Sequence, residues 1–140
     1  MMVLVDTPVW LLALRRRAVD LGPRERLLTQ ALYELVREGR VQSLGATRQE
    51  VLSGIRDESQ FRRIRNDLRA FDDVSLGVSD YEDAAQISNK WRGAGIAGTS
   101  GDMLICGVTV HHGWQIFSAD LDFTHYSEVL PIQLFSSLTR

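Results

Sequence analysis

Met2-Val3-Leu4-Val5-Asp6-Thr7-Pro8 decides how the rest of this chain is read. Its continuous apolar run suits a strand buried on both faces. Thr7-Pro8 then reads as helix N-cap and first helical residue. A buried strand that runs straight into a helix opens a βαβ unit, and Asp6 stands at the join.

The same alternation continues outward. Leu27, Leu28, Ala31, Leu32, Leu35 and Val36 recur at helical spacing, so about residues 23–38 form an amphipathic helix that Gly39 stops. Val41 to Leu44 reads as a second strand. Thr47-Arg48-Gln49-Glu50 has capping-box form and opens a third helix. Phe61, Ile64, Leu68 and Phe71 make one apolar stripe, and Val74 to Leu76 reads as a short strand. Ser79-Asp80-Tyr81-Glu82 is a second capping box, opening a helix with Ala84, Ala85, Ile87, Ser88 and Trp91 on its core face. Gly93 to Gly101 is a loop. Asp102 to His112 is apolar nearly all round, as a central buried helix is. Gln115 to Ser118 is a strand and Val129 to Ile132 another. The expected architecture is a single domain over residues 1–140, of α/β class. It has three α/β/α layers around a mostly parallel sheet of four to five short strands. Such sheets place ligands at the carboxyl ends of their strands.

Composition narrows the classes. The 140 residues are 44% hydrophobic and 24% charged, which is enough for a core and too apolar for a disordered chain. One cysteine, Cys106, excludes a disulfide framework and a cysteine-based zinc module, and its apolar surroundings make it a small buried hydrophobe. A net charge of −2 excludes a globally basic nucleic-acid binder. Val3 to Leu14 is too short for a membrane span and carries Asp6 and Pro8. Arg15-Arg16-Arg17 follows that stretch instead of preceding it, the wrong order for a signal peptide, so a cytoplasmic location is expected.

Carboxylates gather at the expected strand ends. Asp6 closes the first strand, Glu50 opens the helix after the second, Asp102 opens the buried helix, and Asp120 and Asp122 follow the strand at Gln115. Two unit charges at ~5 Å repel by roughly 3 kcal/mol at an effective dielectric of 20. Such a cluster either protonates or binds a cation, and carboxylate oxygens suit Mg²⁺ or Mn²⁺. Carboxylate-held ions of that kind serve phosphodiester hydrolysis. Each acid also has a bland role, because Asp and Glu favour helix N-termini. Glu50 completes a capping box with Thr47, and Asp102 follows Thr99 by three positions.

Four segments together resemble a PIN-domain ribonuclease: Val3-Leu4-Val5-Asp6-Thr7; Thr47-Arg48-Gln49-Glu50-Val51-Leu52-Ser53-Gly54; Asp102-Met103-Leu104-Ile105; and Phe117-Ser118-Ala119-Asp120-Leu121-Asp122-Phe123. Their order and the chain length look most like the VapC toxins of bacterial toxin–antitoxin pairs. The resemblance implies a divalent-metal-dependent endoribonuclease with Asp6, Glu50, Asp102 and Asp120 catalytic. Asp6, Asp102 and Asp120, with Asp122 auxiliary, would hold Mg²⁺ or Mn²⁺. Ser118 stands where the family usually has a Thr that helps hold the site. The resemblance also implies an RNA substrate, a homodimer, and a cognate antitoxin that blocks the acidic pocket, often with an inserted Arg. Pro8 replaces a common Ser or Asn, Ala119 a frequent Arg, and Cys106 a frequent Ala; none of these removes a ligand.

Arg62, Arg63, Arg65 and Arg69 lie off the apolar stripe. Arg62, Arg63 and Arg65 are candidate phosphate contacts, set against an ordinary solvated face. Trp10, Trp91 and Trp114 read as core or interface, and His111, His112 and His125 as helix-end and loop residues. A receiver module would want a Lys near a late strand end, whereas Lys90 lies in helix. An aspartyl phosphatase would want a second Asp where Pro8 stands. A housekeeping RNA-processing nuclease and an inert interaction module remain as alternatives.

Overall fold

The computed structural model describes residues 1–136. In chain order come β1 (Val3–Val5), α1 (Thr7–Leu14), α2 (Pro23–Arg37), β2 (Val41–Gln42), α3 (Gly45–Leu52) and α4 (Glu58–Leu68). They are followed by α5 (Val78–Gly93), α6 (Ser100–His112), β3 (Gln115–Phe117), α7 (Asp122–Tyr126) and β4 (Gln133–Leu134). A 3-10 turn at Ala18–Asp20 links α1 to α2. The four strands stand in the order β2-β1-β3-β4, and every pairing is parallel.

The apolar run of β1 explains its central place. Val3, Leu4 and Val5 are all fully buried, because helices cover both sheet faces. Alternate side chains of a strand point to opposite faces. Val3, Val5 and Phe117 accordingly pack with Trp10, Leu32 and Ile64, whereas Leu4 and Ile116 pack with Trp91, Ile105 and Tyr126. Two cores on either side of one sheet are the expected three layers. Shortening Leu4 to Ala would cost about 2–5 kcal/mol, since a void at the centre of the sheet has no mobile neighbour to fill it.

Helix α2 matches expectation, and Gly39 takes the positive φ of 69° that ends it. Other boundaries differ. Asp6, not Thr7, is the N-cap of α1, with its side chain accepting from Thr7 N–H and Pro8 one position further in. Helix α3 starts at Gly45, so Thr47 and Glu50 lie inside it and form no capping box. Helix α5 starts at Val78, and Asp80, not Glu82, reaches back to the Gly77 N–H at 2.8 Å. Ala85, expected on its core face, is exposed. Helix α6 starts two residues earlier than expected, with Thr99 as N-cap.

Three strand expectations are also corrected. Val41 to Leu44 shrinks to a two-residue β2. Val74 to Leu76 forms no strand; only a bridge between Ser43 and Asp73 touches the sheet there. Val129 to Ile132 forms none either, because Val129 and Leu130 N–H groups turn back to Tyr126 O, and Pro131 has no N–H to give a ladder. The strand begins at Gln133 instead. Helix α7 has no counterpart in the sequence expectation.

Candidate active site

The β1–β3 register builds the site. Val5 lies opposite Phe117, so the next residues, Asp6 and Ser118, leave the sheet side by side. The Asp6 N–H donates to Phe117 O at 2.9 Å and extends the ladder one step past the strand. Asp6 is 4% exposed, with one carboxylate oxygen taken by Thr7 N–H at 2.8 Å and the other by the Ser118 hydroxyl at 3.0 Å. The Ser118 oxygen in turn accepts from Asp120 N–H at 3.3 Å, and Asp120 Oδ1 accepts from Asp122 N–H at 2.9 Å. A single chain of bonds thus runs from the strand-end acid out to two exposed ones.

Asp102 arrives from the other side, in the first turn of α6. Its N–H donates to Thr99 Oγ1 at 3.1 Å, and its Oδ2 accepts from the Tyr126 hydroxyl at 2.7 Å. Glu50 reaches in from α3, where its Oε2 accepts from the Thr7 hydroxyl at 2.6 Å. Sequence reading misses both donors. Tyr126 offers no motif, being one aromatic among several near the end of the chain. Thr7 reads as a helix cap, a task that Asp6 performs.

The aspartates act on one another's charge. Burial pushes the Asp6 carboxyl up from 3.8 to about 7, opposed by its Thr7 and Ser118 hydrogen bonds and reinforced by the charges of Asp102 and Asp120. Burial also raises Asp102, against the bonds from Tyr126 and Thr99, and the charges of Asp120 and Asp122 add to the rise. The Cys106 thiol beneath them is held neutral, first by burial and then by Asp102 and Asp6. It is fully buried, as expected.

Among the described residues, no three His, Cys, Asp or Glu groups converge closely enough to enclose an ion unaided. The donor set still fits Mg²⁺ or Mn²⁺. It is all oxygen, it carries excess negative charge, and Mg²⁺ is typically held by one or two carboxylates, with water and phosphate completing its shell.

The arginines of α4 are not brought to this edge by any hydrogen bond or ion pair among the described residues. Arg62 pairs with Glu58 at 3.3 Å, and Arg63 reaches the Leu14 carbonyl at 3.5 Å. Arg65 is half-buried, and its Nε has no hydrogen-bond partner among the described residues. A nearer cation is Arg24, whose guanidinium donates to Ala119 O at 3.1 Å. It stands at a groove of about 440 Å³ that Ser118 and Asp120 also line.

A family model matches residues 3–129 of this chain. The chain belongs to the PIN domain family. Its acidic edge therefore occupies the strand ends of a PIN domain, a fold of nucleases. The structure of FitAcB from Neisseria gonorrhoeae is similar at a TM-score of 0.74 and 15% identity, covering 99% of this chain and 100% of that one. VapBC2 from Rickettsia felis, bound to a DNA fragment from its promoter, is similar at 0.72 and 9% identity, covering 96% and 98%. A toxin–antitoxin complex from Klebsiella pneumoniae is similar at 0.64 and 19% identity, covering 86% and 89%. At these identities the likeness shows the fold. No curated protein matches this PIN domain. No helix among its described residues is long and apolar enough to cross a membrane.

Proposed function

We propose that this PIN domain is a divalent-metal-dependent endoribonuclease and the toxin of a toxin–antitoxin pair. The observation that carries the reading is Asp6: a carboxylate almost wholly buried, fixed by two donors, and pressed by the charges of Asp102 and Asp120. A buried acid beside like charges is costly unless a cation or proton accompanies it. No Lys or Arg bonds to Asp6, Asp102 or Asp120 side chains among the described residues.

Asp6, Asp102 and Asp120 would hold Mg²⁺ or Mn²⁺, with Asp122 auxiliary, and the ion would supply a nucleophile at neutral pH and charge stabilisation at the phosphate. The protein's own share is orientation. Thr7 N–H and Ser118 fix Asp6, Tyr126 fixes Asp102, and Thr7 Oγ1 holds Glu50 for work as general base.

Two observations support a protein partner that silences this site. The neighbouring structure from Klebsiella pneumoniae is a toxin–antitoxin complex. Beside the acids, Leu27, Leu121 and Leu134 leave apolar surface exposed along the groove. An antitoxin segment with apolar residues in that groove and an Arg among the acids matches both features. A homodimer and a cytoplasmic location complete the proposal.

The test is RNA cleavage by purified protein with EDTA, Mg²⁺ or Mn²⁺, beside Asp6→Asn. Cleavage that needs the ion and Asp6 supports the reading. Cleavage by Asp6→Asn at the wild-type rate, or none by wild type with either ion, overturns it.

A further inference from the structure

We propose that Tyr126 is a positioning residue for Asp102, and that Trp91 and Gly98 hold its phenol in place. The inference rests on the metal-dependent nuclease reading and extends it to residues that carry no charge. The Tyr126 hydroxyl has one hydrogen and directs it at Asp102 Oδ2, 2.7 Å away. Thr99, by contrast, meets Asp102 through its backbone, its oxygen accepting from the Asp102 N–H at 3.1 Å. The phenol is therefore the side chain whose hydrogen bond fixes which way the carboxylate faces.

The ring behind that hydroxyl is clamped. Tyr126 is 2% exposed and stacks on Trp91 at 4.1 Å between centroids and 17° between planes. Phe123 meets it edge-on at 5.2 Å. The buried Trp91 Nε1 has no hydrogen-bond partner among the described residues. Trp91 is therefore not there for its N–H, and what it offers is a broad flat face against Tyr126. Gly98 closes the stack from the loop before α6. A Cβ there would lie 2.3 Å from Trp91 Cζ3, closer than atoms pack, and 3.0 Å from the Tyr126 oxygen, a tight contact. The absence of a side chain at 98 lets the loop cover the ring pair without moving it.

The experiment uses Tyr126→Phe and Gly98→Ala in the full chain, read two ways: Mn²⁺ affinity by calorimetry without RNA, and kcat and KM for RNA. Second-layer groups of this kind set metal affinity or activity by 10–100-fold. Tyr126→Phe is expected to fold, to bind Mn²⁺ about 10-fold or more weakly, and to lose kcat with KM unchanged. Gly98→Ala moves the same quantities in the same direction. In an Asp102→Asn background, Tyr126→Phe is expected to change Mn²⁺ affinity no further, because the coupling runs through that carboxylate. Wild-type Mn²⁺ affinity in Tyr126→Phe, equal losses in both backgrounds, or a variant that fails to fold each overturns the proposal. If wild type binds Mn²⁺ and cuts RNA while Tyr126→Phe matches it, this inference fails alone. If wild type does neither, the nuclease reading fails and takes the inference with it.

Discussion

Ser118 donates its hydroxyl hydrogen to Asp6 across 112 residues of sequence, at 3.0 Å. The same oxygen accepts from Asp120 N–H, so one small side chain joins a buried acid to an exposed one. Ser118→Ala removes both bonds and leaves the β3 backbone unchanged. Cleavage is expected to fall about 10–100-fold, and Ser118→Thr, which keeps the hydroxyl, is expected to stay near wild type. Rate measurements on the three proteins check this; an Ala variant as fast as wild type removes Ser118 from the site.

The raised Asp6 carboxyl makes stability depend on pH in a definite direction. Its folded value is about 7 against an ordinary 3.8, so between those values the folded protein keeps a proton that the unfolded chain has released. Stability contributed by this group is therefore lost as pH rises from about 4 to about 7, and stays constant above. The full loss is on the order of 4 kcal/mol at about 1.4 kcal/mol per pH unit. Asn at position 6 does not titrate. In EDTA, the stability of Asp6→Asn minus that of wild type is expected to grow across this window in denaturant titrations. A constant difference would show that Asp6 ionises normally in the folded state.

Charge removal is expected to separate stability from activity. Asp102→Asn should lower cleavage at least ~10²-fold, a common cost of losing one preorganised electrostatic group. Without metal, the same variant should melt no lower than wild type, because it relieves repulsion from Asp120 and Asp122. Mg²⁺ at 100 times its Kd should stabilise wild type by about 2.7 kcal/mol and the variant far less. Thermal melts in EDTA and in Mg²⁺ decide between this and helix capping, under which the variant loses ~0.3–1 kcal/mol and metal changes neither protein.

The α4 arginines need separating. Arg62 and Arg63 are exposed, whereas Arg65 is half-buried. Arg62→Ala with Arg63→Ala is expected to keep the fold, weaken RNA binding and reduce the salt slope by about 1 for each phosphate that is no longer neutralised. Arg65→Ala is expected to lower the melting temperature as well, since its stem packs inside. Binding isotherms at several salt concentrations test the pair, and an unchanged slope leaves this helix face merely solvated.

The sheet and its acidic edge are legible because each rests on a local signal. Val3-Leu4-Val5 has no polar residue to offer solvent, and an Asp directly after such a run must sit at a strand end. The caps are less legible, because Asp6 and Thr7 are both good N-caps and only the backbone angles choose between them. Tyr126 is not legible at all. Its role depends on α7 folding back toward the start of α6, which no periodicity in five residues announces. The arginine stripe illustrates the opposite error: helical spacing places Arg62, Arg63 and Arg65 off the apolar face, but it does not say that one of them is half-buried.

The central position of β1 also sets a timetable. Its partner β3 is made more than a hundred residues later, and Asp6 meets Ser118 only after that interval. Chains are synthesised at about 5–20 residues per second, so the two ends of this bond are separated by roughly 6–22 s on the ribosome. Until then the first strand has only β2 beside it, and Asp6 lacks the hydroxyl of Ser118 and the charge of Asp120. Closing so long a loop also carries an entropic cost that a local pairing avoids. The Asp6 edge is thus completed late, and every truncation before Ser118 leaves it without that bond.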